Sequence, residues 1–124
     1  MQYRSKFEKD FSETLGDFEY ESKKLKYVVT KTYTPDFLIG NILIETKGYF
    51  KPSDRSKHLS IKEQHPELDI RFVFQNANNK LNKTSKTTYG QWADKHGFKW
   101  ANKEMPDSWK EEINEWKRNQ NNNL

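Results

Sequence analysis

Cysteine is absent from the 124 residues, which excludes disulfide cross-links, a thiolate nucleophile and zinc–thiolate coordination, and is compatible with a reducing compartment. Long apolar runs are missing too. The opening Met1-Gln2-Tyr3-Arg4-Ser5-Lys6 leads into no apolar leader segment and no stretch is long enough to cross a bilayer, so a cytoplasmic protein without membrane attachment is expected. No glycine-rich phosphate loop is present, which argues against a nucleotide cofactor. Aliphatic side chains are scarce: hydrophobic residues make up 32%, no more than the charged ones, so the 15% of aromatics must carry much of the packing. What the chain has in surplus is positive charge, a net +4, which favours a polyanionic partner. The length suits a single domain, expected over residues 1–118 with a frayed polar tail at 119–124, and so small a core would gain from a partner chain.

Tyr3, Phe7, Phe11 and Leu15 recur every four residues before Gly16, the pattern of an amphipathic helix with a C-terminal stop. Aromatic and β-branched stretches at 18–21 and 25–29 predict short strands. A hairpin is expected over residues 33–48, with Gly40-Asn41 as its two-residue turn. Pro52 and Ser53 open a helix that ends near His65-Pro66, and Ile70-Arg71-Phe72-Val73-Phe74 reads as a buried strand parallel to the one before the helix. Residues 75–87 read as an exposed polar loop. Thr88 and Gln91 form a capping box for a helix carrying Tyr89, Trp92, Ala93 and His96, with Gly97 as its stop. A short strand at 98–100 and a last helix with Ser108 and Glu111 as a second capping box complete an α/β fold: a mixed sheet with flanking helices.

The two-residue turn fixes the hairpin register: Ile39 opposite Ile42, Leu38 opposite Leu43, Phe37 opposite Ile44, and hence Asp36 opposite Glu45. Like charges so placed destabilise a sheet unless something neutralises them. Lys47 projects from the same face and offsets only part of the repulsion. A magnesium ion resolves the conflict, since it takes hard oxygen ligands, usually one or two carboxylates, and leaves places for water and phosphate oxygens. Such a site polarises a phosphodiester and activates water, with Lys47 placing that water or stabilising the developing charge. The plainer alternative, a solvated surface ion cluster, fits less well, because Phe37, Ile39, Ile42 and Ile44 on one face and Leu38 and Leu43 on the other predict strands buried on both sides.

Pro35-Asp36 followed by Glu45-Thr46-Lys47 resembles the PD…ExK signature of restriction enzymes, resolvases and repair nucleases. Together with Tyr33-Thr34-Pro35-Asp36-Phe37-Leu38, Ile44-Glu45-Thr46-Lys47-Gly48, Asp54-Arg55, Lys57-His58-Leu59, the run from Glu63 to Arg71, Lys80-Leu81, Tyr89-Gly90 and Lys95-His96-Gly97, it makes most of the chain, about residues 4 to 110, similar to the T-seven-type phage endonuclease I family. That resemblance implies a restriction-endonuclease-like core in a two-fold homodimer with exchanged segments. It implies a Mg2+-dependent endonuclease, with Mn2+ able to substitute, that resolves four-way DNA junctions by paired nicks and leaves 5'-phosphate and 3'-hydroxyl ends. Asp36, Glu45 and the Thr46 carbonyl would hold the metal. A fourth carboxylate, Glu8, comes from the family pattern Arg-Ser-x-x-Glu, matched by Arg4-Ser5-Lys6-Phe7-Glu8, and would serve a second metal. On its helix Glu8 lies about 80° from the apolar stripe; without the resemblance it reads as a solvated helix residue. The stretch 28–32 is shorter than the family's bridge, a departure that bears on segment exchange and on the spacing of the two sites. Asn119 to Asn123 stand where the family has a basic run.

DNA contacts are expected from Arg4, from Arg55, Lys57 and His58 at the start of the helix after the hairpin, and from Lys80, Lys83 and Lys86. The last three belong to a stretch, 76–103, in which Lys95, Lys99 and Lys103 also face the single acid Asp94. Any one of these lysines alone reads as ordinary solvated surface. Trp92, Trp100, Trp109 and Trp116 read as core or dimer packing. No base-reading element is evident, which suits recognition of branched DNA by shape. Two other readings keep parts of this: a homing, restriction-like or mismatch-nicking enzyme of the same fold, favoured by sequence-dependent cutting of linear duplex, and a non-catalytic DNA-binding module, against which Lys47 beside two acids argues.

Overall fold

The computed structural model describes residues 2–21 and 23–122. Its contacts divide the chain into two compact units, Met1–Thr32 and Tyr33–Leu124.

In the first unit, helix α1 (Lys6–Ser12) starts where Ser5 caps it, the Ser5 hydroxyl accepting from the Glu8 N–H at 3.2 Å. It ends earlier than the Tyr3-to-Leu15 stripe implies. Ser12 and Thr14 donate their hydroxyls to the Lys9 and Phe11 carbonyls, and the last turn closes with bonds between residues three apart, a local competition that favours helix ends. Phe7 and Phe11 are exposed and Ser12 is the buried residue of α1, so the stripe is not a core within this chain. The strands expected at 18–21 and 25–29 do not form. Val28 is 95% exposed and Leu25 and Tyr27 nearly as much; β-propensity here finds neither a pairing strand nor a surface to pack on, and without both a strand has no support.

The second unit is a four-stranded mixed sheet, β1 (Phe37–Ile39), β2 (Ile42–Lys47), β3 (Asp69–Phe74) and β4 (Lys99–Asn102), with spatial order β1-β2-β3-β4. The hairpin register is as the turn dictates: Phe37 with Ile44, Leu38 with Leu43, Ile39 with Ile42. β2 and β3 run parallel, joined by α2 (Pro52–Gln64), and β3 and β4 run parallel, joined by the loop and α3 (Tyr89–Lys95). The Thr88/Gln91 capping box is present, with bonds of 3.2 and 2.9 Å. α4 (Asp107–Asn122) begins one residue before Ser108, which lies inside it; the Pro106 carbonyl accepts its first N–H bonds. It runs on through the asparagines expected to fray, and Asn123 and Leu124 lie outside the described residues.

Alternation along the strands separates two cores. Leu43, Ile70, Phe72 and Phe74 join Tyr89, Trp92, Ala93 and Phe98, with Leu59 and Ile61 of α2 against them. Phe50, fully buried between β2 and α2, stands among this aromatic group, its ring 5.0–5.6 Å from those of Phe72, Phe74, Tyr89 and Trp92. On the other face Ile42, Ile44, Val73 and Ala101 pack on Trp109 and Ile113 of α4. Arg71, 1% exposed, ties that helix down: it donates to Asp69 at 3.1 and 2.7 Å and to Glu112 at 2.6 Å, and lies over the Trp109 ring, the pairing a buried guanidinium requires. β2 is therefore buried on both sides. β1 is not: Phe37 and Leu38 are each 55% exposed, because β1 is an edge strand whose open side pairs with nothing among the described residues.

Candidate active site

The hairpin delivers two carboxylates to one spot by having each hold the other's strand. The Asp36 N–H donates to Glu45 Oε1 at 3.3 Å, and the Thr46 N–H and hydroxyl donate to Asp36 Oδ2 at 3.1 and 3.2 Å. The pair expected from the register extends one residue past the last rung of β1. Asp36 is exposed, whereas Glu45 is 2% exposed and points, with Leu43 and Lys47, to the α2 side of the sheet. Burial pushes the Glu45 carboxyl above the usual range, opposed by the Asp36 N–H bond and by Lys47. Lys47 Nζ stands 3.9 Å from Glu45 Oε2 and 3.6 Å from Asp54 Oδ1.

Asp54 is the residue that sequence reasoning passed over. Its second oxygen accepts from the Lys51 N–H at 3.2 Å and fixes the start of α2 behind Pro52, so the helix start holds an acid against Lys47. A proline at the first helical position followed two residues later by an acid was the available signal. Glu45 Oε2 and Asp36 Oδ1 receive no N–H or O–H donor among the described residues. Two carboxylates with free oxygens, one of them buried, fit the small ligand set that magnesium takes from a protein. Among the described residues no three carboxylates or histidines gather as an all-protein cage.

The other expected residues fall in different places. Glu8 lies in the first unit, where it accepts a hydrogen bond from the Tyr20 hydroxyl and pairs with Arg4 at 3.5 Å. Arg4 is held by Glu21 at 2.6 Å as well. In the second unit, Arg55 donates to the Phe50 carbonyl at 2.9 Å, and Lys57 lies over the Tyr33 ring and 3.9 Å from Asp54. His58 corrects an expectation: it is fully buried, packed edge-on against Tyr33 and Phe72, so it cannot meet a phosphate. An apolar contact on the inner face of α2 accounts for it, and burial lowers its pKa to about 4. Lys80, Lys83 and Lys86 are exposed on a loop whose shape is fixed by the Asn82 side chain, by Leu81 N–H to Thr87 O at 3.0 Å and by a Lys80–Thr88 bridge. No described helix is long and apolar enough to cross a membrane.

At the C-terminal ends of β2, β3 and β4 an open cleft of about 490 Å³ adjoins this site, lined by Thr46, Lys47, Gly48, Val73, Gln75 and Lys103.

Residues 1–121 match the family model described as Phage endonuclease I. The chain is 54% identical over 96 residues to Endonuclease I of Escherichia phage T7, across 74% of this chain and 64% of that protein. It is 53% identical over 93 residues to Endodeoxyribonuclease 1 of Enterobacteria phage T3, across 72% and 61%. The chain thus spans a little under two thirds of the length of these curated relatives.

Proposed function

Because the chain belongs to the phage endonuclease I family, we propose that it is a metal-dependent DNA endonuclease of the PD-(D/E)xK type that resolves four-way junctions by paired nicks. The observation that carries this is the reciprocal holding of Asp36 and Glu45 with Lys47 beside them. A ligand set this small, next to a lysine and open to a cleft, suits an ion that must share its sphere with a phosphate and a water. The relatives' names, an endonuclease and an endodeoxyribonuclease, agree with that chemistry.

Asp36, Glu45 and the Thr46 carbonyl would hold Mg2+ or Mn2+, which when bound supplies Lewis-acid polarisation of the phosphodiester and a more acidic water. The protein's own groups do the rest. Burial of Glu45 between β2 and α2 fixes its direction, and its raised proton affinity makes it respond strongly to a cation. Lys47, braced by Asp54, orients the attacking water and stabilises the negative charge that develops on the phosphate oxygens. In-line attack leaves 5'-phosphate and 3'-hydroxyl ends. By the family pattern Glu8 would be a further carboxylate for the chemistry, and a two-fold dimer would present two such sites to two strands.

The test is cleavage of an end-labelled immobile four-way junction and of its matching linear duplex, in Mg2+ or in EDTA, by the wild type and by Glu45→Ala. Paired symmetric nicks on the junction, lost with EDTA and with the substitution, are expected. Sequence-dependent cutting of the duplex would move the protein to a restriction-like activity, and binding without cutting under any divalent metal would leave a DNA-binding module.

A further inference from the structure

We propose that the cleft at the ends of β2, β3 and β4 is a subsite for a backbone phosphate next to the one that is cut, with Lys103 as its cation and Gln75 as a neighbouring donor. This rests on the endonuclease reading.

Three independent features point there. The first is position: the cleft begins at Thr46 and Lys47 and extends across Val73 to Gln75 and Lys103, outside the carboxyl ends of parallel strands, where open α/β sheets take their ligands. The second is strain. Lys103 has φ +73, and the Glu104 N–H reaches back to the Asn102 carbonyl at 2.9 Å, which makes Lys103 the centre of the rare, strained form of γ-turn. A residue other than glycine held there is over-determined by its surroundings, a situation that concentrates at ligand sites. The surroundings are on hand: the Lys103 N–H donates to the Phe74 carbonyl at 2.7 Å, prolonging the β3–β4 ladder, and the Asn102 side chain accepts from the Ala77 N–H at 2.8 Å. The third is packing at the cleft floor. A Cβ on Gly48 would meet Gln75 Oε1 at 3.0 Å, so the bare glycine lets the Gln75 amide lie against the strand end with its oxygen inward.

Charge decides what the cleft takes. Lys47 is already shared between Glu45 and Asp54, while among the described residues no carboxylate lies within ion-pair distance of Lys103, in contrast to Lys99, which pairs with Asp69 at 3.7 Å. Lys103 is thus the uncompensated cation of the cleft, among the described residues, and calls for an anion. A phosphodiester one step along the strand meets both the charge and the amide donor of Gln75. Of the six lysines between residues 76 and 103, Lys103 is the one lining the cleft that begins at Lys47.

The test measures binding of a four-way junction in EDTA over a range of KCl concentrations for the wild type, Lys103→Gly and Lys103→Arg, with melting temperatures and with Mg2+-dependent cleavage run in parallel. Glycine suits the positive φ, so Lys103→Gly removes the charge without harming the turn. It should melt no lower than the wild type, yet lose about one unit from the slope of log Kd against log salt and bind about eightfold more weakly at 0.1 M. Lys103→Arg should keep the slope. An unchanged slope and affinity in Lys103→Gly overturns the subsite, whatever the wild type cuts. A wild type that binds junctions with Lys103-dependent slope but cuts nothing ends the endonuclease reading and leaves the phosphate site standing.

Discussion

Glu45 and His58, both buried in the second unit, are placed there for opposite reasons. Glu45 has a lysine and an N–H bond beside it, whereas the two His58 ring nitrogens have no partner among the described residues. His58 therefore stays neutral, with its pKa lowered from 6.5 to about 4. Between those values the folded chain binds fewer protons at this residue than the unfolded one. Its contribution is complete above about pH 6.5 and is lost as the pH falls towards 4, by up to about 3 kcal/mol. Urea midpoints between pH 4 and 7 should show this decline, and His58→Phe, which keeps a ring in the aromatic packing, should flatten it. An unaltered decline in that variant would assign the acid sensitivity elsewhere. At Asp54, substitution by Asn keeps an acceptor for the helix start but removes the charge opposite Lys47. Cleavage should fall by about tenfold, against a loss of about 10²–10³ for Lys47→Ala, with junction Kd unchanged for Asp54→Asn; a loss confined to Kd would show that Asp54 does not brace the lysine.

Elements whose signals are local were legible. The Thr88/Gln91 box fixed the start of α3 and the Gly40-Asn41 turn fixed the hairpin register, because each involves residues within four positions of one another. That Asp36, Glu45 and Lys47 come together was readable from the same register, because one hairpin carries all three. Strands at 18–21 and 25–29 were wrong because pairing is decided by a distant partner that propensity cannot see. Phe50 escaped notice because its ring is surrounded by β3 and α3, elements distant in sequence, and Glu8 is legible only through the family pattern. The turn of the hairpin carries a constraint of its own. Gly40 has φ +61, and a Cβ there would lie 2.6 Å from the Trp116 indole nitrogen. Gly40→Ala should cost about 1–3 kcal/mol through backbone strain and overlap together. Thermal melts should show that adding Trp116→Ala recovers the overlap but not the strain, so the two substitutions combine to less than their sum. Strict additivity would mean that α4 does not bear on the turn.

On the scale of the whole molecule, the exposed Leu25, Tyr27 and Val28 are more apolar surface than a short segment ordinarily leaves in water. The dimer proposed above would give them a function as contact residues. Sedimentation equilibrium should return twice the 14.9 kDa of the chain, and Leu25→Lys with Val28→Lys should return the chain mass with loss of paired nicking. A wild type sedimenting as a single chain at micromolar concentration would refute the dimer. Strand order in the sheet repeats the order of the chain, β1-β2-β3-β4, and this governs how the site comes into being on the ribosome. Each strand emerges beside a neighbour already made, so the sheet grows at one edge without threading or rearrangement, a topology with short loop closures. The carboxylate hairpin precedes α2 and β3 in the chain, so Glu45 is made before the elements that bury it. During translation the proposed metal ligands would therefore be present while still hydrated, and the proposed cleavage site would be completed late, when the second half of the unit closes over the first.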